Sequence, residues 1–217
     1  MIGIFAPAVG YADSFAGLEP SGRGFNDMDT KGVLIAGVGG QGILRASDIF
    51  SRVIMAAGLD VKKSEVHGMA QRGGCVTSHV RYGVKVYSPL AKKGDVDILV
   101  SFEKMDTLRY LDYLKDDGSI IINTEEICPP AVNLGVAVYP TDVIAMIKKL
   151  SYRVKVVDAA ALALQAGNIR AVNTVLLGAL SDCLSLSSET WEKVLKETFP
   201  PKLIEINIEA FRLGRTV

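Results

Sequence analysis

Six consecutive residues, Gly37-Val38-Gly39-Gly40-Gln41-Gly42, constrain the fold of this chain more than any other feature. The apolar residues before them, 33–36, read as a buried strand. After them Ile43, Ile49, Phe50, Val53, Ile54 and Ala57 recur at helical spacing until Gly58 ends the run. A strand that breaks at a glycine turn and continues as a helix is the opening unit of an α/β sheet. The Gly37-x-Gly39-x-x-Gly42 spacing in this context describes a phosphate-binding turn. Glycine lets a ligand oxygen approach the main chain, and the free amides and dipole at a helix start favour an anion. The plainer reading is that the glycines only allow the strand and helix to pack closely.

The rest of the chain continues the alternation. Residues 61–66, 97–102, 119–123, 136–139 and 154–157 read as strands, and residues 75–80 and 84–87 read as a hairpin around Gly83. Helices are predicted over residues 43–57 and 104–114, from Pro140-Thr141-Asp142, from Asp158 to near Gly167, and over 171–184. Ser187-Ser188-Glu189 caps a final amphipathic pair containing Trp191. The expected architecture is a three-layer, Rossmann-like α/β domain over residues 31–217, with a mostly parallel but mixed sheet and a helical carboxyl-terminal third. Residues 1–30, rich in glycine and holding a second methionine, Met28, just before the first strand, read as a flexible or artefactual arm rather than a secretory signal.

Composition narrows the function. Lys plus Arg (24) balances Asp plus Glu (24), so no global field draws the protein to nucleic acid or an anionic membrane, and an anion site must be local. No apolar run reaches the about 18 residues that a membrane helix requires. Three well-separated cysteines, Cys75, Cys128 and Cys183, fit neither a disulfide framework nor a cluster site, which suits a reducing cytoplasm.

A second polar, glycine-rich segment, His67-Gly68-Met69-Ala70-Gln71-Arg72-Gly73-Gly74, follows the second strand. Loops at the carboxyl ends of parallel strands share one edge, so this segment is expected beside the first turn, with His67, Gln71, Arg72 and Gly73 facing the same crevice. An imidazole, an amide and a guanidinium suit a carboxylate or phosphate, although Arg72 could instead meet a partner subunit and His67 could be a satisfied core group. Ser101, Glu103, Asn123 and Thr124 follow later strands and are weaker candidates for the same edge. A dinucleotide-binding protein needs an acidic residue roughly 20 positions past the turn, at the tip of the second strand. Glu65 is nearby but lies inside the strand, behind Lys62 and Lys63. Cys75 reads as a small strand residue rather than a redox centre.

The glycine turn, together with Ser64-Glu65-Val66-His67-Gly68-Met69-Ala70-Gln71-Arg72-Gly73-Gly74, resembles the small (beta) subunit of indolepyruvate ferredoxin oxidoreductase. So do Gly167-Asn168 and Asn173-Thr174-Val175-Leu176-Leu177-Gly178-Ala179-Leu180, so that the resemblance spans about residues 31–215. The chain equally resembles the gamma domain of pyruvate and 2-oxoglutarate ferredoxin oxidoreductases, whose second motif differs from His-Gly-Met-Ala-Gln. That difference points to the indolepyruvate branch. The amino-terminal arm and Cys75 depart from the family pattern.

The resemblance implies CoA-dependent oxidative decarboxylation of a 2-oxoacid, with electrons passed to ferredoxin. It places thiamine diphosphate, Mg and [4Fe-4S] clusters on a larger alpha subunit, and no tightly bound cofactor on this chain. The candidate ligand-binding set is Gly37, Gly39, Gly40, Gln41, Gly42, His67, Gln71, Arg72 and Gly73, at which coenzyme A is one possible ligand and a purely architectural role the other. Two rivals stand beside this reading: a free-standing NAD- or nucleotide-binding protein, and an interaction domain whose site is a relic.

Overall fold

The computed structural model describes residues 30–68, 74–150 and 152–217. The arm expected over residues 1–30 lies outside them apart from Thr30. Six strands form one sheet in the order β2-β3-β1-β4-β5-β6: β1 (Lys31–Val38), β2 (Asp60–His67), β3 (Cys75–Gly83), β4 (Val96–Ser101), β5 (Leu114–Asn123) and β6 (Arg153–Val157). Strands β1, β4, β5 and β6 run parallel, while β3 is antiparallel to both β1 and β2.

Both faces of β1 are apolar, as a sheet covered on each side requires. Val33 and Ile35 join a core with Phe50, Trp191 and Phe211, while Leu34 and Ala36 join Leu99, Ile120, Ile122 and Ile147 on the other face. The first core is closed by helices α1 (Ile43–Ala56), α5 (Ala159–Gln165), α6 (Val172–Asp182), α7 (Ser188–Thr198) and α8 (Pro201–Arg215). The second is closed by α2 (Lys104–Tyr110) and α4 (Val143–Lys148); α3 (Pro130–Asn133) is a single turn. Ser187 caps α7 by accepting the Thr190 amide, and Asp158 caps α5 by accepting that of Ala161. The three-layer architecture and the helical last third are therefore as expected.

Four local expectations are corrected. The antiparallel hairpin is β2–β3, closed by residues 68–74, and not a pair around Gly83. Of residues 84–87 only Val86 is buried, its amide donating a hydrogen bond to Asp60 Oδ2 (2.9 Å), whereas Val84 and Tyr87 face solvent. Residues 136–139 form no strand: Val136 and Val138 are 80% and 88% exposed, and no ladder partner supports their β propensity. The turn expected at Asp117-Gly118 is absorbed into β5, which starts at Leu114 and pairs with β4 through a register shift. The helix expected to reach residue 114 ends at Tyr110 and tightens into a 3-10 turn, Leu111–Tyr113.

His79 lies on β3 facing Tyr113 and is 5% exposed, its Nδ1 accepting the Ala91 amide at 3.4 Å. Burial holds its pKa below the ordinary 6.5. As pH falls below 6.5 the unfolded chain takes up a proton that folded His79 refuses, so stability declines on the acid side. Urea melts between pH 7 and 5 should show a shallower decline in His79→Asn, whose Oδ1 can still accept the Ala91 amide; equal declines would remove His79 as a source.

Candidate functional site

The carboxyl ends of β1, β2, β4, β5 and β6 share one edge of the sheet. Val38 pairs with Cys75, and His67, which closes β2, pairs with Val76 next to it. The glycine turn and the 68–74 connector therefore meet, as the sequence predicts. Their contact is one hydrogen bond at the described end of the connector, the Gly39 amide donating to Gly74 O at 2.9 Å, while the Gly68 amide closes the hairpin on Cys75 O at 2.8 Å. Gln71, Arg72 and Gly73 lie outside the described residues.

Within the turn the glycines have separate reasons to be glycine. A Cβ on Gly37 would stand 2.8 Å from the Phe102 Cβ, so that position is steric. Gly42 adopts φ 81°, and a Cβ there would meet Asn173 Nδ2 at 2.2 Å. Asn173 uses that nitrogen to bond Gly42 O at 3.1 Å, fastening α6 to the start of α1. Gly40 has φ 106° with open space around it.

The four amides proposed as donors are not equivalent. Gly39 donates to Gly74, and Gln41 donates to Val38 O at 3.1 Å. The amides of Gly40 and Gly42 donate to no described residue, and no side chain caps α1. These two amides, with the helix dipole behind them, are the anion-binding potential of the turn. The Gln41 side chain is turned inward: Oε1 accepts the Val38 amide (2.7 Å), while Nε2 donates to Phe102 O (3.0 Å) and Glu125 Oε2 (3.2 Å). Glu125 thus places a carboxylate on the β5 flank of the turn, which biases an incoming anion toward the opposite flank, where Asn173 stands.

The weaker candidates serve the scaffold. Asn123 is buried, donates to Phe102 O (3.0 Å) and accepts the Ala159 amide (3.2 Å), joining β4, β5 and α5. Glu103 is fully buried and caps α2 by accepting the Asp106 amide at 3.2 Å; it also accepts the Tyr139 hydroxyl. Burial, reinforced by Glu103, holds the Tyr139 phenol far above its ordinary pKa. Thr124 contributes a main-chain bond to Val157 O, and Ser101 Oγ has no partner among the described residues.

One cluster is not foreseen from the sequence. Cys75 Sγ lies 3.5 Å from Asp106 Oδ1 and 2.5 Å from the Arg109 guanidinium, which also bonds Asp106 at 2.8 Å. Burial and then the Asp106 charge push the Cys75 thiol up, so it stays protonated at neutral pH, which suits a structural cysteine. Asp106 and Arg109 are three residues apart on α2, a spacing visible in sequence, but nothing there points to a strand cysteine as the third member.

The dinucleotide alternative fails on topology. Binding an NAD ribose at the turn requires the second strand to lie parallel beside the first. Here β2 is an edge strand separated from β1 by β3 and antiparallel to β3, and Glu65 is engaged by Lys63 at 2.7 Å.

Comparison with known proteins bears on the same point. Residues 32–217 match the family model described as pyruvate ferredoxin/flavodoxin oxidoreductase. The chain belongs to the pyruvate ferredoxin/flavodoxin oxidoreductase family. A Thermococcus kodakarensis relative named indolepyruvate oxidoreductase subunit IorB is 42% identical over 192 residues, covering 86% of this chain and 95% of the relative. Its Archaeoglobus fulgidus namesake is 39% identical over 84% of this chain and 92% of its own. Among solved structures, a pyruvate oxidoreductase subunit from Thermotoga maritima shares the fold with a TM-score of 0.68 and 24% identity, covering 87% of this chain and 97% of its own. A 2-oxoglutarate:ferredoxin oxidoreductase from Magnetococcus marinus matches with a TM-score of 0.68 and 22% identity over 88% of this chain, which corresponds to 31% of that larger polypeptide. Among the described residues of this family member, no helix is long and apolar enough to cross a membrane.

Proposed function

We propose that this chain is the small subunit of a 2-oxoacid:ferredoxin oxidoreductase acting on indolepyruvate or a similar aryl pyruvate, inactive alone and seated on a larger subunit in the cytoplasm. The relatives named indolepyruvate oxidoreductase subunit support the substrate class. In the complex a 2-oxoacid and coenzyme A give acyl-CoA, carbon dioxide, two protons and two electrons that leave through iron–sulfur centres to ferredoxin. Thiamine diphosphate with Mg on the larger subunit supplies the carbanion stabilisation. This chain's own part is to bind and position.

The observation that carries the proposal is the pair of amides, Gly40 and Gly42, that donate to no described residue, at a helix start with no side-chain cap and no acidic residue in its first turn. They fit a coenzyme A phosphate. The solved Magnetococcus marinus protein with coenzyme A bound supports the ligand class.

Gly40→Asp tests the site, because it sets a carboxylate at the open mouth of the turn, and Gly40→Ala, which carries the same backbone strain at φ 106° without the charge, is its control. In the reconstituted complex the KM for coenzyme A should rise about tenfold or more, the effect of about 1.4 kcal/mol of repulsion, while the KM for the 2-oxoacid holds. An unchanged KM for coenzyme A, with the variant folded by circular dichroism, would reduce the turn to architecture. Capture of the chain from its native cells should bring a thiamine- and cluster-containing protein with it. Recovery of the chain alone, with a melting temperature raised by NAD and not by coenzyme A, would overturn the assignment.

A further inference from the structure

On the flank of the turn away from Glu125 a cavity of about 380 Å³ opens between α1, α6 and the start of α8. Its rim carries Arg45, Arg170 and Lys202, and no carboxylate lines it. Several other cations are matched: Arg52, Lys63, Arg81, Lys115 and Arg212 each sit against an acidic side chain. Among the described residues Arg45, Arg170 and Lys202 pair with none. In a chain whose formal charge sums to zero, three uncompensated cations around one cavity form a local positive field that favours an anionic ligand.

The cavity also has built polar and apolar parts. The Arg45 guanidinium lies over the Phe199 ring, 4.9 Å from its centroid, a stack that fixes its plane and leaves its N–H edge for an acceptor. Asn168 caps a second 3-10 turn, Ile169–Ala171, through Oδ1, accepting the Arg170 amide at 3.0 Å, so its Nδ2 remains available as a donor. Asn207, by contrast, is consumed by Thr174 and Leu203 O. Leu203, Ile206 and Ile49 supply an apolar wall.

We propose that this cavity is a phosphate-binding site separate from the glycine turn, taking a phosphomonoester whose organic part lies on the Leu203–Ile206 wall. The phosphate is held by Arg45, Arg170 and Lys202 with Asn168 Nδ2, the donor set that suits a doubly charged oxyanion. The site does not rest on the function proposed for the turn.

The test is isothermal titration of the full chain with inorganic phosphate and with phenyl phosphate. Phenyl phosphate should bind about tenfold more tightly than phosphate, because the ring finds the apolar wall. The double variant Arg170→Gln/Lys202→Gln, at two exposed positions without partners among the described residues, should weaken both by about tenfold or more, whereas Lys85→Gln, an exposed cation that does not line the cavity, should leave both unchanged. Absence of binding at about 10 mM, equal binding by the double variant, or an equal loss in Lys85→Gln would overturn the proposal. Comparing coenzyme A with its dephospho form separates two sources of the phosphate. A preference for coenzyme A that vanishes in the double variant assigns the 3′-phosphate of that ligand, and equal affinity assigns a free phosphomonoester. Should the glycine turn prove architectural, the phenyl phosphate result stands on its own.

Discussion

Gly214→Ala is expected to lower the free energy of unfolding by about 3 kcal/mol or more, a large share of the about 5–15 kcal/mol by which domains are ordinarily stable. A Cβ at Gly214 would lie 2.0 Å from Val175 O and 2.8 Å from Val175 C, so it strikes main chain and cannot be relieved by rotating a side chain. Gly178 faces the same crossing: its Cβ would stand 2.2 Å from Phe211 O. Helices α6 and α8 cross with their backbones almost touching, and a methyl group at either glycine must push them apart. Because Asn173 at the start of α6 holds Gly42 O, the displacement reaches the glycine turn as well. Urea unfolding followed by circular dichroism measures the loss. A loss below about 0.5 kcal/mol, the range of surface substitutions, would show that the helices can separate freely.

Trp191→Ala should cost about 3 to 5 kcal/mol, the range for removing a large aromatic side chain from a core. The indole is fully buried, stacked between Phe50 (5.9 Å) and Phe211 (5.5 Å), and it links α7 to α1 and α8. Its Nε1 has no partner among the described residues, so burial of that N–H already carries a penalty. Trp191→Phe keeps the stack and removes the unpaired donor, and it is expected to cost about 1.5 kcal/mol or less. Since Trp191 is the single tryptophan, both variants are followed by circular dichroism instead of fluorescence. Equal losses in the two variants would place the stabilisation in the indole N–H, contrary to the geometry.

The contrast between what sequence reveals and what it hides follows physical lines. Strand β1 and helix α1 are legible because their periodicity is set by two covered faces, and the glycine turn because a strand must end and a helix begin within six residues. The β2–β3 hairpin is harder, since residues 68–74 look like any loop at a strand end and nothing local announces that the chain reverses against its own predecessor. Residues 136–139 mislead for the opposite reason: valines at alternate positions mimic a strand, yet strand identity depends on a neighbour that sequence does not show. At the site, the residue types that attract an anion are visible, but hydrogen-bond allegiance is not. Gln41 looks like a ligand donor and is a brace, whereas Arg45, Arg170 and Lys202 are distant in sequence and become a group only when α1, the 3-10 turn before α6 and α8 converge.

The bond from the Gly39 amide to Gly74 O makes two segments that are 35 positions apart share one mechanical fate. While it holds, the first loop has two amides to offer. Whatever displaces Gly74 also frees the Gly39 amide, so the start of β3 and the first turn are coupled through a single main-chain contact.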